Sequence, residues 1–407
     1  MSYLIQLAWL IFYVWLLGAA LTLLSLARQR FLKPAGPAED VGEAPLVSVL
    51  VPARNEEGRV PAECVRSILA QDYGNFEVVA VNDRSTDATG RILRSLASQD
   101  PRLRVLEGAE TPEGWLGKPH ALRQALADAR GRWILSTDAD IIFHRSALRT
   151  AVGYAQEHSA DAVTLVPRFE AVSFWERVFI PVWDWGALIF FPVELVNHPR
   201  SPLAMGLGGF FLMRREALER VGGFAAVRAD VLDDMRLAGV LKKSGARMRA
   251  EHAPGLVRTR MYTGLAELWE SAAKNWFAIL GFSIPMTLLM LAWIIFVAVL
   301  PAALAAVSFV VPVAVTGEGA WRQLFVPSFL SWAMSASLLA LVNRRVGVPA
   351  VYALTTPLGW LLSCAVIVGS AYGVLSGRGL VWKGRKFYER GGVRPPGRRA
   401  GVQRGRS

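Results

Sequence analysis

Asp138 and Asp140 stand one residue apart where an apolar run ends, in the stretch WILSTDADII from Trp133 to Ile142. Two carboxylates delivered to one point by a strand can hold a divalent cation through oxygen ligands. Mg2+ and Mn2+ favour such hard donors and often share their shell with substrate phosphates. Three more polar clusters stand at comparable places: PARNEE (Pro52 to Glu57), NDRSTD (Asn82 to Asp87) and GWLGK (Gly114 to Lys118). Capping and turn formation explain any one of these clusters alone, with Ser85 or Thr86 as candidate helix caps. All four on one edge of one sheet point to a site. The chain has no HExxH, no Cys/His cluster and no Walker loop, so zinc and P-loop chemistry have no support.

The elements that must carry these clusters alternate. The runs LVSVLVPA (from Leu46), FEVVAVN (from Phe76), LRVLEG (from Leu103), RWILSTD (from Arg132) and DAVTLV (from Asp161) read as strands, separated by helical patterns near 62–71, 88–98 and 119–129. Strands spaced by helices of this length predict an α/β domain with a parallel sheet covered on both faces. In such sheets ligands bind at the carboxyl ends of the strands.

Composition adds a membrane. Of the 407 residues 53% are hydrophobic, and mean hydropathy is +0.32. Tyr3 to Ala27 carry no charge, long enough for a helix across a bilayer. Arg28, Arg30 and Lys33 follow it, which fits an uncleaved anchor whose C-terminal end is cytoplasmic. A second apolar block runs from Phe277 to Leu375, broken at Pro301, at TGEGAWRQ and at NRRVGVP. It predicts about four spans, near 279–299, 301–316, 324–342 and 350–374, with Arg344 and Arg345 outside. The expected layout is a transmembrane anchor at 1–28, a cytoplasmic domain at 45–277, a helical bundle at 278–375 and a basic cytoplasmic tail at 376–407.

The formal charge of +12 is concentrated in that tail, which from Arg378 onward holds ten Lys/Arg and one Glu. A basic tail beside a membrane fixes topology and touches anionic headgroups, and nucleic acid is not an expected partner. The two cysteines, Cys64 and Cys364, fall in the soluble domain and in a span, and are expected to remain thiols.

The segments VPARNEE, VNDRSTDAT, GKPHAL, STDADI, GGFFLMRREALERVGGF and DDMRLAGVLKKSG occur in the order and spacing of family 2 glycosyltransferases, which the chain resembles over about residues 45–280. The resemblance implies the GT-A nucleotide-diphosphosugar transferase fold. With the flanking helices and a terminal WKGRKFY, it extends to membrane-bound relatives that glycosylate lipids, including carotenoid-type and hopanoid-associated enzymes. It implies a nucleotide-sugar donor, a lipid acceptor, a Mg2+ or Mn2+ cofactor and a place in the cell (inner or plasma) membrane. Carried over position by position, Pro52, Ala53 and Glu56 line the uridine pocket and Asp83 contacts the nucleotide. Asn82 replaces a common Asp. Lys118 sits near the nucleotide, Asp138 and Asp140 form the metal–diphosphate motif, and Gly208 and Gly209 lie beside sugar and acceptor. Asp234 matches the catalytic base and Asp233 precedes it at a helix start, where two acids also suit the macrodipole.

A Gln-x-x-Arg-Trp motif of polymer synthases is reduced here to AAKNW, in which only Trp276 agrees. Trp276 is carried over as a donor-site residue and Lys274 is a candidate cation for the diphosphate. The lost motif favours transfer of a single sugar over processive polysaccharide synthesis. A non-catalytic scaffold is the remaining alternative. Finally, the Trp/Phe-rich stretch from Ser173 to Pro199, interrupted by Pro181 and Pro192, is expected to lie at the membrane interface.

Overall fold

The computed structural model describes residues 1–36, 44–58, 61–310, 318–382 and 385–387. Helix α1 (Ser2–Arg28) forms where the anchor is expected and is long and apolar enough to cross a membrane. Strands and helices then alternate through β1 (Val47–Ala53), α2 (Pro61–Leu69), β2 (Phe76–Asn82), α3 (Thr89–Ala97), β3 (Leu103–Glu107), α4 (Gly117–Asp128) and β4 (Trp133–Ser136). There follow β5 (Ile141–Phe143), α5 (Ala147–Glu157), β6 (Ala162–Val166), β7 (Arg168–Phe169), α6 (Phe174–Phe190), α7 (Val193–Asn197), β8 (Phe211–Arg214), α8 (Arg215–Arg220), α9 (Asp233–Lys243), β9 (Met248–His252), β10 (Val257–Thr259) and α10 (Leu265–Ile279).

Seven strands form one sheet in the order β3-β2-β1-β4-β8-β6-β9, and β5-β10-β7 form a small second sheet. The large sheet is parallel except for β8, which runs antiparallel between β4 and β6. β2 is buried at every residue, as a strand covered on both faces must be. One face packs Cys64, Ile68, Leu93 and Leu148, and the other Leu122, Leu218, Leu237 and Leu241. The sequence pattern did not mark β8: its residues FLMR are short and lead straight into α8, so periodicity has nothing to measure.

The C-terminal block differs from the expected four spans. From Ile284 onward the segments placed at 279–299 and 301–316 belong, as far as they are described, to one helix, α11 (Ile284–Val310), while Ile279 still ends α10. Pro301 does not break it. A π-helical stretch at Ile294–Val299 precedes the proline, as is common where the ladder of a long helix is interrupted. Pro301 has no N–H for the carbonyl four residues earlier, that of Val297, and the indole Nε1–H of Trp15 on α1 donates to that carbonyl at 2.8 Å.

Helix α12 (Glu318–Val346) runs back, and its end meets the domain: Arg345 Nη2 donates to His252 Nδ1 at 2.9 Å. Arg344 and Arg345 therefore lie on the domain side, not outside, because there is one span fewer before them. Helix α13 (Thr356–Leu375) is also long and apolar enough to cross a membrane. Yet it packs along the domain, with Gly359 against Val178 of α6, Gly369 against Trp269 and Ser370 Oγ accepting the Phe277 N–H of α10 at 3.0 Å. A hairpin of β11 (Leu380–Trp382) and β12 (Arg385–Phe387) follows. The tail from 388 onward lies outside the described residues.

Within the aromatic stretch helix α6 continues through Pro181, and the chain breaks only at Pro192, before the short α7. Trp185 is only 2% exposed, packed between the tilted rings of Trp15 of α1 and Trp360 of α13, with its Nε1–H on Thr22 Oγ1 at 3.1 Å. Helix α6 is a buried joint between the domain and the membrane-capable helices.

Candidate active site

The loops after β1 and β2 hold each other. Asn55 and Arg84 take left-handed backbone conformations, with φ of 50° and 52°. The Thr86 N–H donates to Asn55 Oδ1, the Ala88 N–H to Glu57 Oε2 and the Glu57 N–H to Asp87 Oδ2, each at 2.9 Å. Asp87, not Ser85 or Thr86, supplies the oxygen that receives the first helical N–H, that of Thr89, at 3.0 Å. Part of the polar content of PARNEE and NDRSTD is therefore structural. What remains, Pro52, Ala53, Glu56 and Asp83, lines a cavity at the carboxyl edge of the sheet. Asn82 is turned away from it, its amide donating to Glu107 Oε2 at 2.6 Å. An Asp there would set two carboxylates against each other.

Beyond β4 the chain turns sharply and is pinned: the Thr137 N–H donates to the Leu50 carbonyl at 3.1 Å and the Thr137 hydroxyl to the Gly209 carbonyl at 2.8 Å. This turn presents Asp138 and Asp140 to the cavity, both half-buried. Lys118, in the first turn of α4, pairs with Asp138 Oδ1 at 2.6 Å. Burial alone would lower the Lys118 ammonium, but Asp138, Asp233 and Asp234 hold it above its ordinary range. Cys64 lies beneath the turn. Burial, and after it the charge of Asp140, pushes its thiol up, which makes it a packing residue and not a nucleophile.

Opposite stands the start of α9. Asp234 accepts the Gly208 N–H on Oδ2 and the Met235 N–H on Oδ1, both at 2.7 Å. Gly208 and Gly209 line the same cavity. A Cβ on Gly208 would lie 2.5 Å from Lys118 Nζ and 2.8 Å from Asp138 Oδ2, so any side chain there must push these two side-chain ends aside. Asp233 is buried, and that burial raises its carboxyl to about 6, with Lys118 opposing and Asp234 adding to the rise.

Helix α10 closes the third side with Ser271, Lys274 and Asn275. Trp276 does not line the cavity. It is about 100° further round the helix from Asn275, and packs in apolar clusters with Leu280 and Ile367. Lys274 does face the cavity, and burial, then the Lys118 ammonium, lower it to about 8 against the pull of the three carboxylates Asp233, Asp138 and Asp234. Sequence reasoning also missed the apolar lining from Phe169, Trp183, Leu207, Met261 and Trp382. Two of these had a signal: Trp183 in the Trp/Phe-rich stretch and Trp382 in the terminal WKGRKFY.

Among the described residues no group of three or more His, Cys, Asp or Glu gathers as a metal cage. Mg2+-type ions are commonly held by one or two carboxylates together with substrate phosphates and waters. The donor set Asp138 and Asp140, beside Lys118, fits such an ion.

Residues 48–222 match the family described as Glycosyl transferase family 2. Glycosyltransferase GlyG of Streptococcus pneumoniae is 37% identical over 118 residues, which cover 29% of this chain and 38% of that protein. Beta-monoglucosyldiacylglycerol synthase of Synechocystis is 33% identical over 242 residues, covering 56% of this chain and 48% of that protein. The 4,4'-diaponeurosporenoate glycosyltransferase of Staphylococcus aureus is 23% identical over 232 residues, covering 56% and 59%. The chain thus spans less than two thirds of each of these relatives. Among solved structures, the mannosyltransferase PcManGT of Pyrobaculum calidifontis, in complex with GDP-Man and Mn2+, superposes with a TM-score of 0.53 at 22% identity, covering 91% of this chain and 99% of that one. The fold is shared with it. Sheet order and cavity agree with this match: residues 48–222 are similar to Glycosyl transferase family 2, within an α/β domain of the GT-A type.

Proposed function

We propose that the chain is an integral-membrane, metal-dependent, inverting glycosyltransferase that moves one sugar from a nucleotide-diphosphate sugar, in our reading a UDP-sugar, to a lipid. One observation carries this reading. A single cavity joins Asp83, Lys118, Asp138, Asp140 and Asp234 on its sheet side to a wall of α6 and α10, helices packed against the membrane-capable α13. Two of the relatives are named for lipid-type acceptors, and the mannosyltransferase of the same fold binds GDP-Man with Mn2+.

In this reading the nucleotide lies over the ends of β1 and β2, against Pro52, Ala53, Glu56 and Asp83. A divalent cation held by Asp140 and Asp138 would supply positive charge for the leaving diphosphate. Lys118, fixed by Asp138, adds a second positive charge nearby. Asp234 takes the proton of the acceptor hydroxyl as its oxygen attacks the anomeric carbon. The bond from that carbon to the diphosphate oxygen breaks on the opposite side, and configuration inverts. Asp233 supports the start of α9.

We place the protein in the plasma membrane with the domain cytoplasmic, since Arg28, Arg30, Lys33, Arg344 and Arg345 then lie on the side where basic residues accumulate. Helix α1 and the hairpin of α11 and α12 cross, and α13 lies along the inner face.

The test is full-length protein in host membranes, given tritiated UDP- and GDP-sugars with Mn2+ or with EDTA. Label entering chloroform-soluble lipid only with the metal supports the reading. No incorporation from any donor, or release of long polysaccharide, overturns it.

A further inference from the structure

The hairpin β11–β12 comes back to the cavity after the chain has left for the membrane and returned. The Gly379 N–H donates to the Gly373 carbonyl at 2.8 Å and turns the chain out of α13. Leu380 then packs in one apolar cluster with Phe169, Trp183 and Met261. Two residues on, Trp382 reaches the cavity itself, with the Lys274 ammonium 4.1 Å from its ring centroid.

The cavity is chemically divided. Its sheet side is carboxylate, ammonium and glycine backbone. Its other side is Phe169, Trp183, Leu207, Met261 and Trp382. The first four belong to a cluster that continues into Leu362 and Val366 of α13. In the reading above the nucleotide lies over the ends of β1 and β2, on the sheet side, and leaves this wall to the acceptor. An amphipathic molecule, with a hydroxyl head and an alkyl or fused-ring body, would be matched by both sides at once.

We propose that Trp382, held in place by Lys274, is a specificity-determining residue of the acceptor subsite, its indole face packing on the apolar body of a lipid next to the reacting group. The proposal rests on the glycosyltransferase reading above. Indole suits this position because its large apolar face covers the acceptor, while the face of the same ring attracts the ammonium. Lys274 in turn lies within the field of Asp233 and Asp234, so the aromatic wall is tied to the acids at the start of α9.

The experiment uses the full-length protein in mixed micelles, with the total lipid extract of the host membranes as acceptor and the tritiated donor that labels lipid with the wild type. Trp382→Ala should raise the apparent KM for the extract roughly tenfold or more, a loss of at least one decade in acceptor affinity. Its affinity for the nucleoside diphosphate with Mn2+, measured by calorimetry without lipid, should stay within about twofold. Trp382→Phe should restore most of the KM. Trp382→Leu, which keeps apolar bulk if the alanine variant fails to accumulate, should also raise it, by a smaller factor. An unchanged KM in the alanine or leucine variant, or a parallel loss of nucleotide affinity, overturns the subsite. A wild type that labels no lipid from any donor overturns the glycosyltransferase reading and the subsite with it.

Discussion

The Gly208 N–H donates to Asp234 Oδ2 at 2.7 Å, and by this bond the acid of α9 and the acids beyond β4 share one corner. Any side chain at 208 would meet Lys118 Nζ and Asp138 Oδ2 first. Gly208→Ala must push that ion pair aside. Displacement of reacting groups by about 1 Å costs on the order of 100-fold in rate. Transfer should fall by about that factor and Mn2+-dependent nucleotide affinity should fall with it, both on the same preparation. Unaltered transfer would remove Gly208 from the site.

Asp234→Asn keeps the size and, through its one remaining oxygen, one of the two backbone hydrogen bonds, but cannot accept a proton. Transfer should drop ~10²–10⁴-fold, the usual contribution of a general base. Donor affinity should change little, because the other carboxylates bind it. An acceptor that is itself an ionised carboxylic acid needs no base, so a small effect with a carotenoid-acid acceptor and a large one with an alcohol would separate these classes. Loss of donor affinity in step with turnover would move Asp234 into the nucleotide pocket.

Asp140→Ala should abolish most Mn2+-dependent nucleotide binding in a calorimetric titration. The fold should survive, since Asp140 is a half-buried residue of a turn and no part of the apolar core. Retained metal-dependent binding would sink its role as a ligand.

Much of this site was legible because its chemistry sits at strand ends, where apolar runs stop. Asp83, Lys118, Asp138, Asp140 and Asp234 could be located by that punctuation and by the family pattern. Trp276 misled because motif matching ignores helix phase: Lys274 and Asn275 face the cavity, and one residue further the side chain turns into the core. The apolar wall as a whole was not legible for another reason, although Trp183 and Trp382 lay in stretches that stood out. Phe169, Trp183, Met261 and Trp382 come from four segments, and only tertiary packing gathers them. The extra span was predicted because Pro301 reads as a break, and nothing local says that Trp15 will serve the carbonyl it leaves.

Asp233 makes stability depend on pH. Its carboxyl is raised by burial from the ordinary 3.8 to about 6. A folded pKa above the unfolded one means that stability is fully present below about pH 3.8 and is lost as pH rises through about 6. Asp233→Asn has no proton to lose. Compared at pH 4 and pH 7 in EDTA without nucleotide, the variant should gain on the wild type by about 1–3 kcal/mol at the higher pH. A difference that does not change with pH would mean that Lys118 compensates the charge fully.

The membrane joint offers a sharper test, because two residues distant in sequence answer for one hydrogen bond. Pro301 withholds an N–H from the Val297 carbonyl, and Trp15 Nε1 donates to it at 2.8 Å. Trp15→Phe keeps the ring near Trp185 but removes the donor. A polar group left unpaired away from water costs about 1–3 kcal/mol, and hydrogen bonds between membrane helices measure about 0.6–2 kcal/mol. The variant should therefore unfold earlier in a denaturing-detergent titration. Pro301→Ala restores a backbone N–H one helical turn from Val297. In that background Trp15→Phe should cost clearly less, giving a coupling between the two sites in a double-mutant cycle. Equal costs in both backgrounds would show that Trp15 stabilises the joint by packing on Trp185 alone, and that the helix passes Pro301 without help from α1.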